Sequence, residues 1–177
     1  MIIKVTAKAK ATTGILTFNG KSYPCALGRS GIVSPATKQE GDGATPAGTW
    51  PLRRLLYRAD KMSGPATSLP TSAIKRRDGW CDAPDDAGYN TQIELPYNAS
   101  AERLWRDDDL YNLIIVLGHN DDPVINGKGS AIFFHVANTK ADKLSPTEGC
   151  VALTQATLKT VLESCSTDTR ICIALES

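Results

Sequence analysis

Residues 113–117, Leu-Ile-Ile-Val-Leu, are the most hydrophobic run in the chain. Three β-branched residues in a row with no polar alternation mark a central strand buried on both faces. The run ends at Gly118-His119-Asn120-Asp121-Asp122, the end of a central strand being a usual place for functional side chains to emerge.

The rest of the chain supplies partners for such a strand. Residues 2–7 and 14–18 are rich in strand-forming side chains, and Asn19-Gly20 is a hairpin turn signal that makes residues 21–27 the return strand. Residues 50–58 read as an extended segment entering the core, 91–95 alternate and stop at Pro96, 131–137 form the next strand, and 170–175 close the sheet. Two short helices are expected. One covers Ser100–Trp105 with Ser100 as N-cap; the other covers 154–164 with Thr154 as N-cap and Leu158, Val161 and Leu162 as its buried stripe. The expectation is a β-rich fold with a few short helices in one domain, 1–177.

Two stretches lack periodicity. Residues 34–48 contain Pro35, Gly41, Gly43, Pro46 and Gly48, a shaped loop with Lys38, Glu40 and Asp42 in solvent. Residues 59–90 are too long for a plain connector and read as an irregular insertion folded over the site, with Trp80 as packing anchor or substrate platform.

A formal charge of +1 gives no field to attract nucleic acid or an anionic membrane. No apolar run is long enough to span a bilayer, and Met1-Ile2-Ile3-Lys4-Val5 does not read as a signal peptide. Five cysteines without a CxxC pair and two histidines without HExxH point away from zinc and dithiol chemistry, so no metal and no cofactor is expected. Cys172 is expected in a core strand and Cys165 half-buried after the second helix. A reduced compartment, or one functional thiol, fits this odd count better than a disulfide scaffold.

The reactive candidates are His135, within the apolar Phe133–Ala137 segment, and Cys150, in Thr147-Glu148-Gly149-Cys150-Val151. A thiol is a useful nucleophile as thiolate, and an imidazole is the usual base that makes one. Gly149 unshields the sulfur and allows a tight turn. If a helix starts at Cys150, its free N–H groups face a developing oxyanion. The alternative is a buried apolar cysteine and a satisfied core histidine. His119 either lines the cleft or caps a turn, and Arg29 is either a solvated charge or an anion contact.

The order of a histidine, fifteen residues, and then Ser/Thr-x-Gly-Cys-hydrophobic resembles the signature of the YkuD-type L,D-transpeptidases. Upstream, Gly43-Ala44-Thr45-Pro46-Ala47-Gly48-Thr49-Trp50 is similar to the Thr-Pro-x-Gly-x-aromatic segment of those domains. The resemblance spans roughly residues 26 to 175 and implies a mixed β-sandwich or barrel. It also implies a Cys150 nucleophile, a His135 base oriented by the Val136 carbonyl, and oxyanion donors from the Gly149 and Cys150 N–H groups. Thr147, Glu148, His119, Arg29 and Trp80 would contact substrate.

Peptidoglycan stem peptides would be the partners, carbapenem-type β-lactams would acylate the thiol, and the protein would work in the periplasm or cell envelope. The alternatives are a thiol L,D-carboxypeptidase or endopeptidase and a non-catalytic wall-binding module. Three positions depart from the pattern: Glu148 for histidine before Gly149, Ala152 two places after the cysteine, and Val136 for glycine after His135. A carboxylate next to the sulfur raises its pKa unless Glu148 points away, pairs with His135 or Arg29, or holds His119. These departures imply a divergent branch, one joining stem positions other than the usual pair of diaminopimelates.

Overall fold

A computed structural model describes residues 1–141 and 143–176. Its central feature is a mixed sheet of nine strands: β1 Ile2–Ala7, β2 Thr13–Phe18, β3 Lys21–Ala26, β4 Gly48–Tyr57, β5 Thr71–Ala73, β6 Leu113–Leu117, β7 Phe133–Val136, β8 Val151–Leu153 and β9 Arg170–Leu175. Eight of them follow the order β6-β7-β8-β3-β2-β1-β9-β4, and β4 pairs again with β6, so the sheet closes into a barrel. β5 lies outside the ring, parallel to β4. β1–β9 and β7–β8 are parallel pairs; the other ring pairs are antiparallel.

The ten-residue β4 makes closure possible. Its first half pairs with β9 and its second half with β6, with a register shift at Val116/Leu117. Asn19 and Gly20 both have positive φ, 48° and 73°, as a type I′ turn between β2 and β3 requires.

β6 is apolar on both faces because each face meets a separate core. Leu113, Ile115 and Leu117 join Ile3, Val5, Leu16, Leu55 and Phe134 inside the barrel. Ile114 and Val116 join Leu56, Ile74, Trp80, Leu104, Tyr111, Phe133 and Cys150 in a second layer. That layer lies under a small antiparallel sheet of Asp78–Cys81, Gln92–Glu94 and Ala101–Arg103. One helix, α1 Gln155–Leu162, is present among the described residues; Thr154 caps it, and Leu158, Val161 and Leu162 are its buried side chains.

Four local expectations fail. Ser100–Trp105 is not a helix: Ala101–Arg103 is a strand paired with Gly79–Cys81. A six-residue segment gains little as a helix, and the ladder satisfies its backbone instead. Lys38 is not in solvent; it is 2% exposed, with its ammonium on Asp42 and the Gln39 carbonyl. Cys172 is only partly buried, whereas Cys165 is fully so.

Candidate active site

Phe133 and His135 alternate along β7 and therefore share one face. β8 runs parallel to β7, with Val151 opposite Phe134, so Cys150 sits just before β8 beside Phe133. The Phe133 N–H donates to Cys150 Sγ at 3.3 Å, and the thiol donates to the Ala131 carbonyl at 3.3 Å. Cys150 and His135 both line a cavity of about 560 Å³, within the range of small-molecule sites. Of the five cysteines, only Cys150 lines it.

His135 Nδ1 lies 2.8 Å from the Val136 carbonyl. A carbonyl only accepts, so Nδ1 carries the proton and Nε2 keeps its lone pair. The ring is held edge-on by Tyr111, at 5.3 Å between centroids. Burial pushes His135 down to about 4, against the opposing Val136 and Leu110 carbonyls. Burial likewise pushes Cys150 up to about 12, with the Glu102 charge adding and the Phe133 N–H opposing. The resting pair is therefore neutral thiol and neutral imidazole. Burial raises Cys25 and Cys165 to about 12 as well, so what separates Cys150 from them is the cavity and the imidazole that shares it.

Gly149 takes φ +138°, and a Cβ there would approach the Ala44 carbonyl oxygen to 2.9 Å. That explains the glycine and ties the turn to the Gly43–Trp50 loop. The Thr147 hydroxyl braces the turn, donating to the Cys150 carbonyl at 2.7 Å and accepting the Gly149 N–H at 3.2 Å. The Gly149 N–H, expected as an oxyanion donor, is thus taken by Thr147, whereas the Cys150 N–H makes no hydrogen bond among the described residues. No helix starts here: Cys150 leads into β8, and α1 begins at Gln155, so any oxyanion site comes from the glycine turn alone.

The other sequence candidates separate clearly. Thr147 and Glu148 reach the cavity lining; Arg29, His119 and Trp80 do not. Glu148 points outward, 79% exposed, and forms a 2.8 Å ion pair with Arg29, so it holds neither His135 nor His119. Arg29 also donates to the Gly41 carbonyl and lies close against Gly43. His119 is buried against the Trp50 edge, with Nε2 on the Lys128 carbonyl and Nδ1 without a partner. Trp80 is 6% exposed, packs edge-on to Phe133 at 5.1 Å and donates to Asn90, so it is a packing anchor and not a platform for substrate.

The cavity also contains residues that the sequence pattern did not mark: Glu102, Tyr111 and Lys38. Tyr111 flanks the apolar run and donates its hydroxyl to Glu102. Reading 100–105 as a helix hid Glu102; strand alternation against Trp80 is the signal that would have turned it inward. Among the described residues, no group of three or more His, Cys, Asp or Glu is placed to hold a metal ion, and no helix is long and apolar enough to cross a membrane.

A model of the YkuD family, the L,D-transpeptidase catalytic domain, matches residues 7–173. The chain belongs to this family. The match includes both the Gly43–Trp50 loop and the His135 to Cys150 segment, which the turn at Gly149 brings into contact. No curated protein and no solved structure gives a match. Cys150, His135 and the Gly149 turn all lie inside the matched region, and the residue before Gly149 is an outward-facing carboxylate, Glu148.

Proposed function

We propose that the protein is a peptidoglycan L,D-transpeptidase of the cell envelope that carries its acyl group on Cys150. The observation that carries this reading is one cavity shared by a thiol and an imidazole whose tautomer the Val136 carbonyl fixes. Cys150 Sγ attacks the amide carbonyl of a stem peptide between an L-centre and a D-residue. His135 Nε2 takes the thiol proton as the S–C bond forms and returns it to the leaving amine as the C–N bond breaks. The Cys150 N–H is the donor available to the tetrahedral oxyanion; losing one such donor typically costs on the order of a hundredfold in rate. An amine from a second stem then resolves the thioester.

The test is mass spectrometry of muropeptides incubated with the protein. Cross-linked dimers are expected. Shortened monomers alone would make the protein a thiol L,D-carboxypeptidase or endopeptidase. A Cys150→Ala variant that keeps every property of the wild type would make it a wall-binding module. A carbapenem should add one covalent adduct, lost in Cys150→Ala.

A further inference from the structure

The cavity has a wall that acylation does not use. Glu102 lies opposite Trp80 in the small sheet, and its carboxyl accepts the Tyr111 hydroxyl. The Tyr111 ring meets His135 on one side and lies under the Arg106 guanidinium, 5.2 Å from the ring centre. Asp82 lines the same cavity, and its Oδ1 is buried with no hydrogen-bond partner among the described residues. Ser130, 8% exposed and also in the lining, has an Oγ in the same condition.

The lining's cations are already committed, Lys38 to Asp42 and Arg106 to Asp108, whereas Glu102 and Asp82 have no ion-pair partner among the described residues. A carboxylate here opposes thiolate formation at Cys150, so the first half-reaction gains nothing from it. An ammonium arriving in the second half-reaction does gain, because it supplies donors to acceptors that lack them.

We propose that Glu102 and Asp82 bind the ammonium group of the incoming acyl acceptor and bring it to the thioester. This rests on the transfer reading above. The ammonium gives one proton to the Glu102 carboxylate, which burial makes readier than usual to hold it. The freed amine nitrogen attacks the thioester carbon. A C–N bond forms and the C–S bond breaks. His135 takes the second nitrogen proton and passes it to the departing sulfur, leaving thiol and neutral imidazole. Glu102 then releases its proton to solvent. Water carries no charge for this wall to select, so the wall favours transfer over hydrolysis.

The experiment measures two quantities on Glu102→Gln and Asp82→Asn: formation of the Cys150 acyl-enzyme by intact mass, and its partition between water and an added nucleophile. Nα-acetyl-lysinamide supplies an ammonium; hydroxylamine, uncharged at neutral pH, is the control. Glu102→Gln keeps an acceptor for the Tyr111 hydroxyl and should acylate at least as fast as wild type, since a charge opposing the thiolate is gone. Its transfer-to-hydrolysis ratio should fall about tenfold or more with the lysine derivative and change less than about threefold with hydroxylamine. Asp82→Asn should fall in the same direction. An unchanged ratio in both variants, or an equal fall with both nucleophiles, overturns the proposal while leaving the acyl-enzyme intact. A wild-type protein that forms no Cys150 adduct overturns the transfer reading, and this proposal with it.

Discussion

His135 should make the fold acid-sensitive in a window set by its own burial. In the unfolded chain the imidazole titrates near 6.5; in the fold, burial lowers it to about 4. The folded state therefore refuses a proton that the unfolded state accepts, so stability is greatest above about 6.5 and falls as the pH drops toward 4. A tenfold weaker hold on a proton corresponds to about 1.4 kcal/mol. The lowered imidazole therefore contributes roughly 3 kcal/mol over the whole window, about 2 kcal/mol of it lost between pH 7.5 and 5.

The assay is urea unfolding of wild type and His135→Asn at pH 7.5, 6 and 5. The asparagine amide can still donate to the Val136 carbonyl, but it does not titrate. His119, also lowered by burial, and the carboxylates held down by hydrogen bonds, such as Asp42 and Asp108, are present in both proteins and cancel in the difference. The stability advantage of wild type over His135→Asn should shrink by about 2 kcal/mol from pH 7.5 to 5. Parallel pH curves would mean that His135 takes up its proton equally in the folded and unfolded chains, so that burial does not keep the imidazole neutral below about 6.5.

Gly149→Ala must hold a side chain at φ +138° with its Cβ 2.9 Å from the Ala44 oxygen; it should lose about 1–3 kcal/mol in thermal or urea unfolding and most of the acylation rate, and wild-type values of both would refute the tight-turn account. Glu148→Gln removes an exposed ion pair with Arg29, so stability should change by less than about 1 kcal/mol and the pH profile of acylation should keep its wild-type shape. A displaced profile would place the carboxylate against the sulfur. Trp80→Ala should cost about 3–5 kcal/mol in unfolding assays. Trp80→Phe should leave KM for the stem peptide unchanged, and a raised KM would return Trp80 to the substrate path.

Much of the barrel was readable from short-range signals. The Asn19-Gly20 turn, the apolar run at 113–117 and the Thr154 cap each act within a few residues, and each appears where the pattern puts it. What failed depended on partners distant in the chain. Ala101–Arg103 becomes a strand because Gly79–Cys81 offers an edge, and Lys38 is buried because Gly129 packs against its side chain. The same distinction applies to the site. His135 on β7 and Cys150 just before the adjoining β8 line one cavity and stand out as residue types. Glu102 is an ordinary acid until the small sheet folds over the second core layer and turns it toward the sulfur. His119 misled because the end of a central strand is a common place for function, whereas here the chain turns back and packs the ring against Trp50.

The most direct test of the central claim is peptide mapping of the protein after a brief incubation with a donor stem peptide, on wild type, Cys150→Ala and His135→Asn. One acyl group is expected, on Cys150, absent from the alanine variant and formed about a hundredfold or more slowly without the imidazole. An adduct on another cysteine, or an equal rate in His135→Asn, would contradict it.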